Sequence, residues 1–212
     1  VERASTVVAM PGVPLVDPEA LDLPGRDYDL IVSIFDLDVV DDVPGFLARA
    51  RAHLRGDGLF MAAAIGGDSL TELREAFLSA DAELGGGAFL RVAPFIPLSA
   101  AAGLLQRAGL ALPVSDVETH TVRYASPLSL MRELKALGAS NPLAERPHRP
   151  ATLSLLKAAS AAYEAIASDS DGRVRATLEI VWMSGWAPHE SQQKPLKPGS
   201  AEVSLARILG KT

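Results

Sequence analysis

The stretch DYDLIVSIFDLDVVDDVPGFLARARAHLRGDGLFMAAAIGG, residues 27–67, contains three segments with different hydrophobic periods. The first is an apolar, β-branched run after the turn signal Pro24-Gly25, a pattern typical of a strand buried on both faces. The second places apolar residues at steps of three and four, as one face of a helix does. The third, residues 59–64, is a short apolar strand. Strand, helix and strand joined by tight turns predict a βαβ unit and therefore a parallel sheet.

The boundaries of this unit carry their own signals. Asp41 and Asp42 are suited to cap the helix, Pro44 fits its first turn, and Gly56 and Gly58 are expected to end it. The carboxyl ends of the two strands, residues 36–38 and 65–67, then face the same crevice. Ligands bind in that crevice in open α/β sheets.

The remaining chain alternates helical and extended patterns. A capping box formed by Ser69 and Glu72 predicts the start of the next helix. Periodicity and turn residues predict further helices over residues 99–108, 127–137 and 152–167, and strands over residues 13–16, 112–124 and 174–186.

Composition excludes several classes of protein. The chain of 212 residues is 48% apolar and 22% charged, which is typical of a globular fold. Its net charge of −6 argues against a nucleic-acid or anionic membrane surface. The absence of cysteine excludes disulfides, thiolate nucleophiles and Cys-ligated metals. No apolar run reaches the roughly 20 residues of a membrane span, and the first residues lack both signal-peptide features and an initiator Met.

Two groups of residues can carry chemistry. His189 lies in WAPHESQQK, among side chains that donate and accept protons. The alternative is that this tail forms a hydrogen-bonded edge. His53 ends a predicted helix, where a histidine is usually structural, and His120 and His148 have no ligand-like partner nearby in the sequence. The acidic cluster Asp36, Asp38, Asp41 and Asp42 either gathers a cation or caps the helix and faces water. Because no metalloprotease, Walker or nucleophile-elbow motif is present, we predict no metal site, and the residues alone indicate an α/β domain with an acidic crevice.

Several motifs resemble a known family. DPEALDLP, DYDLIVS and LRGDGLFMAAA resemble the cofactor-binding half of class I S-adenosylmethionine-dependent methyltransferases. GGDSLTELREAF, RVAPF, QRAGLALPVSDV, VRYASPLSLMRELKALGASN and SGWAPHESQQKPLKPGSA are similar to the methyltransferase-like complex I assembly factor 5 family and its bacterial relatives. The resemblance extends from about Asp17 onward.

This resemblance implies a Rossmann-like α/β sheet that is mostly parallel, has an antiparallel last strand and follows the order 3-2-1-4-5-7-6. Residues 1–212 would form one domain with a helical insertion at residues 126–168. The N-terminal strands and their Gly-rich loop are expected to lie outside this sequence. The implied cofactor is S-adenosylmethionine, with Asp17, Pro18 and Glu19 at its adenine and Ser33, Asp36 and Asp38 lining its crevice.

The implied function is modification of a protein side chain, by methylation or by hydroxylation of an arginine in a respiratory complex I subunit. His189, Glu190 and Gln192 would lie on the substrate side. The location would be a bacterial cytoplasm or a mitochondrial matrix, and the sequence sets no oligomeric state. Asp38 and Val39 stand where relatives carry His-Trp, and Pro18 offers no backbone N–H to the adenine.

Two other functions stay open at this point. One is a non-catalytic assembly or interaction module that docks through its tail, residues 187–209. The other is a small-molecule methyltransferase acting on an acid linked to an acyl carrier protein. That enzyme would need an apolar cavity beneath Leu130, Met131 and Leu134.

Overall fold

A computed structural model of the chain describes residues 16–84, 87–143, 146, 150–194 and 210. Three sequence predictions fall wholly or largely outside these residues, namely the strand at 13–16, the loop with His148 and the tail beyond residue 194. The elements of the described part are β1 (Tyr28–Ile34), α1 (Val43–His53), β2 (Leu54–Ile65), α2 (Thr71–Glu83), α3 (Leu98–Arg107), β3 (Ala111–Tyr124), α4 (Pro127–Ala136), α5 (Leu153–Ala167) and β4 (Val174–Trp186).

The four described strands form one sheet in the order β1-β2-β4-β3. β1 and β2 are parallel, and β4 is antiparallel to both β2 and β3. Three strands therefore share one direction and the last strand opposes them. This confirms the predicted Rossmann-like α/β sheet and corresponds to the 4-5-7-6 part of the expected order. None of the helices in the described ranges is both long and apolar enough to cross a membrane.

The β1–α1–β2 unit forms as predicted, apart from one boundary. The Asp42 carboxylate accepts a hydrogen bond from the backbone nitrogen of Gly45 at 2.9 Å, which caps α1. However, α1 ends at His53, and β2 begins in the next residue rather than after Gly58. The register with β1 is irregular over this segment, and a Cβ on Gly58 would lie 2.8 Å from the Tyr28 carbonyl oxygen. The glycines therefore mark a bulge in the strand instead of the end of the helix.

Helices cover the two faces of the sheet unequally. On one face α1 and α3 pack against the centre of the sheet through buried residues that include Phe46, Leu105, Phe60 and Val181. On the other face α2, α4 and α5 cover only the start of β4, in a second cluster around Tyr163. The sheet therefore has one continuous core and one partly covered side.

The prediction that β1 is buried on both faces is wrong for the described part of the chain. Leu30, Val32 and Ile34 are 50%, 53% and 61% exposed, and Met61 and Trp182 continue the same open face. Hydrophobic periodicity reports that both faces of a strand are apolar, but it does not report what covers each of them. We call this surface the open sheet face.

The predicted capping box at the start of α2 is also wrong. The Ser69 hydroxyl accepts from the Glu179 nitrogen at 2.8 Å and lies 3.2 Å from the Glu179 carbonyl oxygen, while the Glu72 carboxylate accepts from Thr177. β2 pairs with β4 only as far as Ile65, so the adjoining edge of β4 has backbone groups without a strand partner. Two side chains before and within α2 satisfy these groups, since buried backbone polar groups need partners.

The two later helices begin where the sequence predicts. Ser126 and Ser129 form a reciprocal capping box at the start of α4, and Thr152 caps α5. Leu130 on α4 is 1% exposed and packs into the second cluster. In the described part of the chain no cavity therefore lies beneath Leu130, whereas Met131 on the neighbouring side of α4 lines a groove between α4 and α5.

Candidate functional site

A cavity of about 560 Å³ lies at the carboxyl ends of β1 and β2. Its volume falls within the range of small-molecule sites, and its position is the one where open α/β sheets bind ligands. The walls come from the turn after β1, the segment after α2, helix α3 and the loop after α4. The lining residues are Leu37, Asp38, Val39, Val40, Asp41, Val43, Ala93, Pro94, Phe95, Ile96, Pro97, Ala100, Leu104, Pro142 and Leu143. We call this cavity the crevice.

Asp38 is the titratable group that the fold places most specifically in the crevice. Both of its carboxylate oxygens lie 3.1 Å from the backbone nitrogen of Ile65, at the end of β2. Burial raises the pKa of Asp38 to about 6, the Ile65 hydrogen bond opposes that rise, and the nearby Asp36 charge adds to it. A carboxyl group with a pKa near neutrality can exchange protons at physiological pH.

Hydrogen bonds with residues of β1 and β2 hold the turn that carries Asp38. Ser33 is buried, and its hydroxyl donates to the Asp36 carboxylate at 2.8 Å. Phe35 adopts a positive φ of 62°, and its nitrogen donates to the Ala63 carbonyl at 2.8 Å. A non-glycine residue in this conformation persists only when its surroundings hold it there. The turn is therefore preorganised before any ligand binds.

The acidic loop predicted to receive adenine lies beside this turn. The Asp17 carboxylate accepts from the Glu19 nitrogen at 2.9 Å, and the Glu19 carboxylate accepts from the Asp41 nitrogen at 2.5 Å. Pro18 lies in the same turn. The structure thus brings residues 17–19 next to the crevice, although the cavity itself is lined by the neighbouring Asp38 and Asp41.

The predicted substrate-side residues lie at the opposite end of the sheet. The Gln192 amide donates to the Asp57 carboxylate at 3.0 Å and to the Ala187 carbonyl at 2.8 Å, and a Cβ on Gly56 would lie 2.6 Å from the His189 ring. Asp57 is eight residues from Ile65, which is about 26 Å along a strand.

The structure therefore does not bring His189, Glu190 and Gln192 together with Asp38. The reason is topological, because β4 is antiparallel and its carboxyl end meets the amino end of β2. The antiparallel last strand that the resemblance implies is sufficient by itself to place the tail away from the crevice.

Sequence reasoning assigned no role to the segment that forms the far wall, residues 93–97. Arg91 anchors this segment through two hydrogen bonds to Asp81, Nε to Oδ2 at 2.8 Å and Nη2 to Oδ1 at 2.7 Å. Its guanidinium also lies 5.8 Å and 5.4 Å from the ring centroids of Phe77 and Phe89. The motif RVAPF was the available signal, because its proline favours an extended segment and its arginine can anchor that segment.

The crevice is chemically suited to a ligand with an apolar part and a positive charge. Among its lining residues are two carboxylates and no lysine or arginine, and most of the wall is aliphatic or aromatic. S-adenosylmethionine combines a planar adenine with cationic sulfonium and ammonium groups. The described residues fit the cationic end of that cofactor, with Asp38 and Asp41 as the groups that would face it.

Comparison with known proteins gives related sequences but no protein-family model that matches the chain. It is 35% identical over 194 residues to the arginine-hydroxylase NDUFAF5, mitochondrial, of Danio rerio, covering 92% of this chain and 60% of that protein. It is 32% identical over 208 residues to the malonyl-[acyl-carrier protein] O-methyltransferase of Halorhodospira halophila, covering 98% and 68%.

The chain spans about half the length of the arginine-hydroxylase relatives, for example 56% of the human protein. Among solved structures, the YcgJ protein from Bacillus subtilis matches with a TM-score of 0.47 and 13% identity, covering 81% of this chain and 69% of that one.

Proposed function

The chain belongs to the class I S-adenosylmethionine-dependent methyltransferase superfamily, in the group that contains the NDUFAF5 arginine-hydroxylases and the malonyl-[acyl-carrier protein] O-methyltransferases, and we propose that it modifies a side chain of a partner protein. The observation that carries the proposal is Asp38, a partly buried carboxyl group with a pKa of about 6 in a crevice at the carboxyl ends of two parallel strands. S-adenosylmethionine is the proposed cofactor.

The charge of the crevice favours a cationic target. Asp38 and Asp41 line it, and no lysine or arginine among its described lining residues offers a partner to an anionic substrate. A guanidinium group can form two parallel hydrogen bonds with a carboxylate. An arginine side chain, the target that the NDUFAF5 name states for those relatives, therefore suits this crevice better than a malonyl carboxylate does.

Asp38 would lie between the cationic end of the cofactor and the target guanidinium, and it would accept the proton of the target. Above pH 6 most Asp38 carboxyl groups are ionised, so the carboxylate attracts a guanidinium and can take up a proton that the target nitrogen releases. S-adenosylmethionine, when bound, supplies an electrophilic methyl group. The Ile65 hydrogen bond would keep the Asp38 carboxylate aimed at the target while the proton moves.

Mass spectrometry of paired peptides tests this function. The product of the complete reading frame is incubated with S-adenosylmethionine and with two peptides that differ only by arginine or citrulline. We expect the arginine peptide alone to gain one methylene, because the cofactor's methyl group replaces a proton of the target nitrogen, and Asp38→Asn to abolish the gain. Asp116→Asn, a change of an exposed carboxylate on β3, is the matched control. Equal activity of Asp38→Asn and Asp116→Asn would refute the assignment.

A second function, a non-catalytic interaction module, is favoured by the open sheet face, where Val32 and Ile34 are more than half exposed. Exposed apolar surface of this kind marks interaction sites. By resemblance, the partner would be a subunit of respiratory complex I, in a mitochondrial matrix or a bacterial cytoplasm. Binding of such a partner with no mass change in any peptide would select this function over catalysis.

A further inference from the structure

We propose that a groove between α4 and α5 is a docking site for an acidic amphipathic helix of a partner protein. The groove has a volume of about 560 Å³ and lies on the outer side of the two helices, apart from the crevice. Its lining comprises Leu128, Met131, Arg132, Lys135, Leu153, Leu156, Lys157, Ser160, Ala161 and Glu164.

The spacing of these residues shows that each helix contributes one continuous stripe. On α4 the lining positions are 128, 131, 132 and 135, and on α5 they are 153, 156, 157, 160, 161 and 164. These steps of three and four describe a helix face. The inner face of α4 is occupied separately by Leu130, which is buried in the core. Each helix therefore presents to the groove a second stripe in which apolar and charged residues are mixed, and Met131 of this stripe also packs against the edge of the second cluster.

The groove exposes apolar side chains that a monomeric protein usually buries. Leu153 is 78% exposed and Leu128 is 38% exposed. The Ser160 hydroxyl is closed off from solvent, yet it has no hydrogen-bond partner in the described structure. An unpaired buried hydroxyl costs free energy, so the wall of the groove is not fully hydrogen-bonded in the described structure.

The charges around the groove select an acidic partner. Arg132, Lys135 and Lys157 line it, with Glu164 as the one opposing charge among the lining residues. In the described ranges none of these three cations lies within 4.0 Å of a carboxylate. This local cluster stands out in a chain whose net charge is −6, because the remaining surface repels acidic partners.

An acidic amphipathic helix matches both the exposed apolar side chains of the groove and its positive charge. The lining covers residues 128–135 of α4 and 153–164 of α5, so the groove extends over about 10 to 17 Å. An amphipathic helix of roughly 8 to 11 residues has this length and inserts anchors at i, i+3, i+4 and i+7 into such a groove. Its flanking glutamates or aspartates would face the three cations.

The proposed docking site also has a physical connection to the crevice. The loop after α4 continues to Pro142 and Leu143, which line the crevice, and the Asn141 amide donates to the Leu90 carbonyl at 2.7 Å beside the far wall. A partner bound at the groove would therefore lie next to a loop that borders the crevice. Docking itself does not depend on the function proposed for the crevice, since binding is measured without activity.

Fluorescence anisotropy tests the docking site. The probe is a labelled peptide of roughly 14 residues, with leucines at i, i+3, i+4 and i+7 and glutamates between them, and the comparison peptide replaces each glutamate by lysine. We expect the 212-residue chain to bind the acidic peptide and to bind the basic peptide at least about tenfold more weakly. Lys135→Glu/Lys157→Glu should reverse that preference.

Two further variants separate charge from apolar contact. Leu153→Asn removes an apolar contact without changing the net charge, lies in the first turn of α5, and should weaken binding of the acidic peptide about tenfold. Arg107→Glu/Lys194→Glu changes the net charge as much as Lys135→Glu/Lys157→Glu does, but away from the groove. It should leave binding unchanged.

Three results would overturn the proposal: no binding of the acidic peptide at millimolar concentration, equal binding of the acidic and basic peptides, or an unchanged affinity in the Lys135→Glu/Lys157→Glu variant. Binding of dodecanoate but not of the peptide would also overturn it, because the groove would then hold a free acyl chain. Circular dichroism and thermal melts of each variant confirm that a loss of binding is not a loss of fold.

Discussion

The Asp38 carboxylate and the Ile65 backbone nitrogen join the ends of two parallel strands, with both carboxylate oxygens 3.1 Å from that nitrogen. The contact fixes the turn after β1 against the last residue of β2. Burial of the carboxyl group raises its pKa, and the hydrogen bond from Ile65 lowers it, so the contact that positions Asp38 also moderates its acidity. The Asp38–Ile65 contact therefore matters both for the structure of the turn and for the chemistry proposed in the crevice.

The stability of the protein should report the raised pKa of Asp38. The pKa is about 6 in the folded protein against an ordinary value of 3.8, so between these values the folded state holds the proton more tightly than the unfolded state. The contribution of Asp38 to stability is therefore present below pH 4 and is lost as the pH rises through 6.

Asp38→Asn cannot titrate and retains an acceptor for the Ile65 nitrogen. Relative to wild type, we expect this variant to gain about 1–2 kcal/mol between pH 4 and pH 8, less than the full shift implies because part of the side chain faces solvent. Urea denaturation at both pH values measures the change. An identical difference between the two proteins at pH 4 and pH 8 would rule out a raised pKa.

The wall of the crevice should depend on the pair formed by Arg91 and Asp81. Asp81 is 3% exposed, and Arg91→Met leaves its charge buried without a partner. We expect a loss of about 3 kcal/mol in unfolding free energy. The double variant Arg91→Met/Asp81→Leu should recover part of it, because both charges are then removed.

The matched control is Arg123→Met, which breaks exposed ion pairs with Asp169 and Asp171. Surface pairs contribute little, so its loss should be much smaller. Chemical denaturation of the wild type, the two Arg91 variants and Arg123→Met measures these differences in unfolding free energy. Equal losses in Arg91→Met and Arg123→Met would show that burial of the Arg91 pair has no special energetic role.

Ser69 should be a structural anchor of α2. Its buried hydroxyl accepts from the Glu179 nitrogen, and Ser69→Ala leaves that nitrogen without this partner. We expect a loss of about 1–3 kcal/mol. Ser170→Ala, at an exposed turn residue, should be nearly neutral. If thermal unfolding shows the same midpoint for both variants, the hydrogen bond from Glu179 does not stabilise the fold.

The tail residues should affect stability but not ligand binding in the crevice. Gln192→Ala removes two hydrogen bonds, to Asp57 and to Ala187, and should cost about 1–2 kcal/mol. Because this contact lies at the amino end of β2, affinity for S-adenosylmethionine should stay within about twofold for Gln192→Ala and His189→Ala. A tenfold loss of affinity in either variant would return these residues to the functional site.

Much of the fold was accessible from the sequence because local signals agree with the tertiary structure. Asp42 caps α1 as predicted, α4 and α5 begin within one residue of the predicted positions, and β4 has the predicted bounds. The prediction of the capping box fails because residues distant in the sequence determine which hydrogen bonds form. Ser69 and Glu72 have the spacing of a capping box, but the edge of β4 competes for both side chains.

Only part of the candidate site could be predicted from the sequence. The order of strands placed Asp38 at a crevice, because the carboxyl ends of parallel strands meet. Burial and the Ile65 contact, which set its acidity, depend on three-dimensional packing that a motif does not encode. For the tail, the polar residues suggested a role on the substrate side of the site. The antiparallel direction of β4 places them at the end of the sheet away from the crevice.

Calorimetric titration of S-adenosylmethionine into the product of the complete reading frame at pH 7.5 tests the functional crevice most directly. We expect micromolar binding by the wild type and by Asp116→Asn, and at least about tenfold weaker binding by Asp38→Asn, because the cofactor's positive charge would lose its carboxylate. No heat at millimolar cofactor, or equal affinity in Asp38→Asn, would contradict the assignment of the crevice as the cofactor site.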